Sequence, residues 1–524
     1  MGEYQHNKVD LNAQAEKRLY WSVFFSAFLI CLALTKTYVS YSGNEASRLA
    51  MIESLVERGT FVIDNSPFAW TPDKAFVNGH YYCDKPPLLP LISAGEAWLL
   101  KHGPGISFSN HPHLWLYLLT VLPVGLSAAW LAAVFFSDTL RLWNIESLKN
   151  RLIYTIAAWA GTLIFSYCGT YNNHLPAAAF LYAALSRFAS LYKSSEEIRY
   201  RKSLSLCGFL IAMAFALDFP PGAVFMIVFW VAIFTKTPHS GRLYAAWWYT
   251  IGAALPIIAT LIINFIMVGT LKPLYMIPSA YNYPGSEFQG GGAAGIFSPV
   301  YPLQYAFHAL FGYRGIFLYS PILIPAVGGM IWYIRHGERW AKIAALTTCG
   351  GFITTLLFYI LFTHNFGGWS YGFRYMAPVM PAIVFFLGPR WIESTGMRKN
   401  LLLELCAISV LLAALGNFNP WCPCWEGERK SQNQIVSNVR SPLAANIVLL
   451  RAVIDPSSAP DSRIAKYMVS RDDAMAAAYI GISFLNRGDT HRAEIMFQRA
   501  VDLEPTELIF NTYLEAVRPQ NKKF

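Results

Sequence analysis

Apolar stretches of about 17 to 25 residues, nearly free of charge, recur along this chain of 524 residues and constrain its fold before any motif is considered. A helix of that length crosses the hydrocarbon core of a bilayer, whereas irregular backbone exposed to lipid there loses several kcal/mol for each unpaired group. About eleven spans are expected, beginning near Leu19, His113, Leu152, His174, Ser203, Pro220, Ala245, Gly315, Ala341, Phe373 and Leu401. The segment from Ser203 to Phe234 is interrupted by Asp218, Phe219, Pro220 and Pro221, and fits either one re-entrant hairpin or two short spans. Hydrophobic residues make up 55% of the chain and charged residues 14%, with a mean hydropathy of +0.35. These values describe an all-α, polytopic membrane protein rather than a string of soluble domains.

The net charge of +10 does not indicate nucleic acid, because the basic residues fall in short clusters between apolar runs, as topology signals do. Arg141, Lys149 and Arg151 form one cluster, Lys193, Arg199, Arg201 and Lys202 the next, followed by Lys236 and Arg242, then Arg335, Arg339 and Lys342, then Arg390, Arg398 and Lys399. The alternate short loops 169–173, 218–221 and 363–372 hold no lysine or arginine. The basic ends and the N-terminus are therefore assigned to the cytoplasm of a multi-pass plasma (inner) membrane protein. A long first loop (40–111), the loop 269–314 and the tail then face outward. The first span lacks a small-residue cleavage site and reads as a retained signal anchor.

Within the first outer loop, Leu49, Ile52, Leu55 and Val56 recur at helical spacing opposite Arg48, Glu53 and Glu57, with Gly59 as a C-terminal cap. A second helix is expected to start after Pro86 and Pro87. Both suit the membrane surface. Between them lie Asp64, Asp73, Lys74, Asp84 and Lys85. Lys85 stands where an ammonium reaches the phosphate level of the outer leaflet, which suits either a lipid-linked phosphate or ordinary headgroups. Glu45, Asp73 and Asp84 are candidate bases, since a buried carboxylate within reach of a hydroxyl can take its proton. Asp73 is equally able to pair with Lys74.

The short outer loops contribute Asn173 and His174, then Asp218, then Trp369, Tyr371 and Arg374. Arg374 and Arg314 are cations on the side from which positive charge is otherwise excluded, so each calls for an anionic partner. The glycine- and tyrosine-rich run 281–295 matches no nucleotide-binding pattern and reads as an outer loop that closes over a lipid or sugar. Cys422 and Cys424 lie in the outer compartment and suit a pairing, with each other or elsewhere; ligands for a metal are not apparent.

Taken together, the Asn44, Glu45, Arg48 stretch, the Lys85, Pro86, Pro87 turn and the run Gly367, Gly368, Trp369, Ser370, Tyr371, Gly372, Phe373, Arg374, Tyr375 resemble the GT-C superfamily of membrane glycosyltransferases, in particular relatives of the protein mannosyltransferases and of the aminoarabinose transferase of lipid A. The resemblance covers most of residues 15–420. It implies inverting transfer of a sugar from a polyprenyl-phosphate donor to a lipid, glycan or protein acceptor, with a first-loop carboxylate as base. It further implies Lys85, and less directly Arg314 and Arg374, as ligands of the lipid phosphate, and Arg48, Asn173, His174, Trp369 and Tyr371 around the substrate. Some members of the superfamily use a divalent metal, so a metal is possible here. The family's acidic pair after the first span is incomplete, because its first member is Asn44, and an amide is no base. A transporter or flippase for a lipid-linked sugar is the alternative. Transporters, however, gather polar groups and broken helices near the bilayer midplane, and here ionisable residues crowd the outer span ends.

The chain divides into a transmembrane domain, 1–420, and a polar tail, 421–524. In the tail Gly481, Ala493, Phe497, Ala500 and Pro505 fall at the spacing of a tetratricopeptide unit over about 474–506. Such a unit suits a protein partner. The assigned sidedness predicts that a phosphatase reporter fused after Phe524 is active outside the cytoplasm and that the same reporter at Arg398 is inactive.

Overall fold

The computed structural model describes residues 2–37, 42–193, 200–286, 288, 302–363, 366–368, 370–422, 441–455, 473–485 and 487–518. The chain enters through α1 (Gly2–Leu34) and then builds the first loop from α2 (Gly43–Arg58), the hairpin β1 (Lys74–Val77) and β2 (His80–Cys83), and α3 (Leu88–His102). The hairpin is antiparallel, with Lys74 opposite Cys83 and Val77 opposite His80. α4 (Pro112–Thr120) and α5 (Leu126–Arg141) make one rod through a π-turn at Val121–Gly125, where Pro123 lacks a ladder donor. There follow α6 (Leu148–Trp159), α7 (Leu163–Ser166), α8 (His174–Lys193), α9 (Tyr200–Leu217), α10 (Phe219–Lys236) and α11 (Arg242–Val268). The later elements are α12 (Pro302–Leu310), α13 (Ile316–Tyr319), α14 (Leu323–His336), α15 (Arg339–Phe362), α16 (Met380–Val384), α17 (Gly388–Ile392) and α18 (Gly396–Phe418). The tail holds α19 (Pro442–Ile454), α20 (Asp473–Leu485), α21 (Thr490–Leu503) and α22 (Leu508–Val517).

Among the described residues, 7 helical segments are long and apolar enough to cross a membrane: Ala13–Leu34, Pro112–Arg141, Tyr200–Leu217, Phe219–Lys236, His239–Val268, Arg339–Phe362 and Gly396–Phe418. The expected spans at Leu152, Gly315 and Phe373 are instead interrupted helices, and α8 is a continuous helix of 20 residues outside that set. Proline explains much of the interruption: Pro321 precedes α14, and Pro378 and Pro381 sit in the 3-10 turn Arg374–Val379 and in α16. Residues 376–387 are buried throughout. Irregular backbone at membrane depth is tolerated where protein rather than lipid surrounds it. The break at Asp218 resolves into two helices of 18 residues each, α9 and α10.

Contacts sort the loops onto two ends. At one end Arg151 binds Glu16, Lys193 donates to the Leu142 carbonyl, Arg339 to that of Lys236, and Lys399 to Asn150. At the other, Lys36 N–H donates to Gly169 O, Tyr281 reaches Asp84, Tyr371 N–H meets Pro420 O, and Leu443 N–H meets the Tyr319 hydroxyl. The basic clusters thus share one end, and the first loop and tail share the other.

The surface-helix expectation holds for α3, which exposes Ile92, Trp98 and Leu99, and is corrected for α2. Arg48 and Glu53, on its expected wet face, are buried, Arg48 against Asn173 of the loop before α8 and Glu53 in a pair with Arg58, while Glu57 stays exposed. In the tail, α20 and α21 form a helical hairpin in which Gly481 lies against the Phe497 ring, 2.7 Å from where a Cβ would stand. α9 and α11 pack closely along their length, and a Cβ on Gly252 would lie 1.8 Å from the Ser205 carbonyl oxygen. Small residues at such crossings are what let membrane helices approach. Gly252→Leu is therefore expected to lower the melting temperature in detergent by the equivalent of about 1–3 kcal/mol or more. Gly328→Ala, where a Cβ meets nothing within 4 Å, is expected to leave it unchanged.

Candidate active site

The turn after β2 delivers Asp84 and Lys85 to the start of α3. Lys85 Nζ lies 2.8 Å from Asp73 Oδ2 and 3.1 Å from Asp84 Oδ1. Asp84 also accepts from the Tyr281 hydroxyl at 3.1 Å and from Ser47 Oγ at 3.4 Å. Asp73 therefore pairs with Lys85 and not with Lys74, whose ammonium donates to the Ala69 carbonyl and covers the Tyr81 ring. Burial works against the charge on Lys85, but Asp73 and Asp84 outweigh it and hold its pKa above the ordinary lysine value. Burial raises the Asp84 pKa against the opposing pull of Lys85. Asp64 is spent on the hairpin, where it takes His80 Nδ1 at 2.8 Å and the Tyr81 N–H at 2.7 Å.

Beside this triad, Arg48 is 1% exposed. Its Nη1 donates to the Asn44 carbonyl at 2.7 Å and to the Asn44 side-chain oxygen, and its Nη2 donates to Asn173 Oδ1 at 2.7 Å. Asn173 passes the connection on, donating from Nδ2 to the Leu217 carbonyl at 3.0 Å. The next residue, His174, places Nδ1 2.6 Å from Asp218 Oδ2, while its Nε2 is buried without a hydrogen-bond partner among the described residues. Glu45 Oε1 accepts the Tyr171 N–H at 3.0 Å, and the Glu45 charge acts on Lys36, whose ammonium donates to the Asn417 carbonyl.

The run from Phe366 to Tyr375 closes the site. Gly367 has φ +108°, and a Cβ there would stand 2.8 Å from Arg374 Cγ, so only glycine lets the turn wrap this arginine. Arg314 lies beneath, 0% exposed, with Nη1 donating to the carbonyls of Ser370 and Gly368. Arg374 stacks over Trp421 at 5.1 Å and Tyr375 at 5.6 Å. Its Nε and Nη1 are buried without a hydrogen-bond partner among the described residues. Tyr371 turns its hydroxyl into the helix bundle to donate to the Leu412 carbonyl, and its own carbonyl receives the Tyr167 hydroxyl. Trp369 lies outside the described residues, as do His364, Asn365, Cys424 and the glycine-rich run from 289. Cys422 Sγ lies 2.8 Å from the Tyr479 hydroxyl of α20.

The pieces form one electrostatic unit. The charges of Arg374 and Asp218 act on Arg48, those of Arg374 and Arg48 act on the His174 ring, and that of Arg48 acts on Lys85. Lys85, Arg48, His174 and Arg374 thus come together, with Asp73 and Asp84 attached through Lys85. Glu45 faces Lys36, and Tyr371 is directed elsewhere. The pairing of Asp218 with His174, the Tyr281 contact and the Trp421 platform have no counterpart in the expected set. Asp218 carries one usable signal, being the sole charged residue between Lys202 and Lys236. Trp421 has none beyond an aromatic at a span end. Among the described residues no group of three or more His, Cys, Asp or Glu side chains is gathered as a metal would need.

This arrangement sits in a fold of GT-C type. The chain is similar in structure to ArnT from Cupriavidus metallidurans bound to undecaprenyl phosphate, with a TM-score of 0.50 at 14% identity over 94% of this chain and 80% of that one. Similarity also extends to the same protein in the apo state (TM-score 0.45, 13% identity, 94% and 80% covered) and to the Archaeoglobus fulgidus oligosaccharyltransferase in the apo form (0.43, 13%, 85% and 59%). No family model and no curated protein sequence matches the chain.

Lys85→Met is expected to strand the buried Asp84 against the half-buried Asp73 and destabilise the fold by about 3 kcal/mol, read as a lower melting temperature in detergent. Adding Asp84→Asn to Lys85→Met is expected to recover most of the loss.

Proposed function

We propose that the protein is a glycosyltransferase that moves a hexosyl or pentosyl group from a polyprenyl-phosphate carrier to a hydroxyl of a lipid, glycan or protein acceptor, with inversion at the anomeric carbon. The observation that carries this reading is Arg374, buried against Trp421 with Nε and Nη1 unpartnered among the described residues. A buried donor left unmade costs about 1–3 kcal/mol, and more when charged. A phosphate oxygen pair matches the guanidinium fork and removes that cost. The fold likeness to ArnT, which in that structure holds undecaprenyl phosphate, supports a lipid phosphate as the anion.

In this reading Arg374 receives the negative charge that develops on the departing lipid phosphate, where a preorganised cation is most effective. Arg314, occupied with Gly368 and Ser370, fixes the turn under it. Lys85 adds positive charge from the first loop and is drawn toward the phosphate from its place between Asp73 and Asp84. The first-loop carboxylates balance and aim cations: Asp73 and Asp84 do so for Lys85, and Glu45 for Lys36. A carboxylate-backed group then takes the acceptor proton. The N-terminus is cytoplasmic in the inner membrane, and the site and tail lie outside, in keeping with the basic loops at the opposite end. The helical hairpin of α20 and α21 suits a protein partner.

The test is binding of undecaprenyl phosphate to the full chain by native mass spectrometry. Arg374→Ala is expected to weaken it at least about tenfold, and unchanged binding sinks the assignment. Release of undecaprenyl phosphate from a panel of its sugar conjugates tests turnover, and absence of release with every conjugate refutes the transferase.

A further inference from the structure

The site contains a proton acceptor in a place the first-loop expectation does not cover. Position 44, where the resembled family carries a carboxylate, is an amide whose oxygen is tied to Arg48. The other arm of Arg48 ends on Asn173, the residue before His174. His174 is 3% exposed and Asp218 is 7% exposed, and the pair is joined at 2.6 Å through Nδ1. An ionised carboxylate only accepts, so Nδ1 carries the shared proton, and in the neutral ring, which burial favours, Nε2 keeps its lone pair. That Nε2 is buried with no hydrogen-bond partner among the described residues, and the charges of Arg48 and Arg374 act on the same ring.

We infer that His174, oriented by Asp218, is the catalytic base that takes the acceptor proton, an assignment that rests on the transferase reading above. An imidazole whose far nitrogen is held by a buried carboxylate has a fixed tautomer and a fixed aim, and its conjugate acid forms as an ion pair. Asp73 and Asp84 are engaged with Lys85, and Glu45 with the Tyr171 N–H, so each carries out a holding function. As the acceptor oxygen bonds to the anomeric carbon, its O–H bond breaks and the proton passes to Nε2. The bond from the anomeric carbon to the phosphate oxygen breaks with its electron pair leaving on the lipid phosphate. The imidazolium pairs with Asp218 and returns its proton to water after the products depart. Burial, and after it the charges of Arg374 and Arg48, disfavour an imidazolium, whereas a phosphate on Arg374 offsets part of that positive charge. Donor binding therefore prepares the base, and proton removal waits for the donor.

The test uses the full-length protein in detergent, with undecaprenyl phosphate as binding probe and the sugar conjugate that the wild type turns over as substrate. His174→Gln and Asp218→Asn are expected to keep undecaprenyl-phosphate binding within about twofold while kcat falls about 100- to 10,000-fold. His174→Gly with added imidazole is expected to recover at least about tenfold of the lost rate, which a merely structural histidine does not do. Turnover of His174→Gln within about threefold of wild type overturns the assignment. So does loss of undecaprenyl-phosphate binding in step with activity, or failure of imidazole to restore any rate. These outcomes differ from failure of the transferase reading, which is registered by Arg374→Ala retaining full undecaprenyl-phosphate binding or by a wild type inert toward every conjugate.

Discussion

The end of the bundle that carries the site depends on one buried cation. Arg48 is enclosed on a helix that, by its composition, belongs at the surface, and acceptors on both its Nη atoms offset the cost of that burial, its Nε having no hydrogen-bond partner among the described residues. Asn44 and Asn173 accept from it, and Asn173 in turn reaches the carbonyl that ends α9. The first loop, the loop before α8 and the α9–α10 turn are thereby fixed relative to one another. His174 and Asp218 come from the last two of these, and Arg48, through Asn173, holds the first loop beside them.

The bundle around this cluster shows how polar groups can be held inside an apolar fold. Uninterrupted helices such as α11 and α15 turn apolar side chains outward, Leu255 and Leu357 among them. Among the interrupted ones, α6 still exposes Leu152 and Ile156, whereas α7 and residues 376–387 are enclosed by protein. Their free backbone groups find partners inside the protein: the Tyr154 hydroxyl bridges from Phe385 O to Gly388 N–H, and Ser320 Oγ accepts from Leu163 N–H. The enclosed broken segments are where polar groups can be placed at depth.

Much of this is legible in the sequence because hydropathy and charge are local properties. The long spans, the grouping of basic loops at one end and the helices flanking Lys85 follow from runs of neighbouring residues. Spans with internal prolines read as apolar but do not reveal whether they continue, since Pro321 or Pro381 can kink a helix or end it according to what packs beside it. At the site, Arg374 is recognisable as a cation beside a short loop free of lysine and arginine, and Lys85 by the paired prolines that follow it. Their partners are not recognisable. Asp73 is chosen over Lys74's neighbourhood by the hairpin register that returns Lys85 to it, and His174 finds Asp218 only through helix packing between α8 and α9. The burial of α2 is hidden for the same reason: an amphipathic pattern reports a preference for a boundary, and Arg48 overrides it with specific acceptors.

Trp421, the platform under Arg374, belongs to the strand of chain that leaves the last span. Asn446 of α19 donates to the Leu415 and Asn419 carbonyls and accepts from the Asn419 amide, and Cys422 meets α20 through Tyr479. The tail thus fastens the residue that completes the arginine's setting. During biosynthesis the spans enter the membrane in order, so the platform is the last portion of the site to be made, and only the tail helices synthesised after it fasten it. A chain inserted but not yet finished has its cations in the membrane without their roof. Arg374 therefore gains its full setting only once the tail helices have been made and have folded.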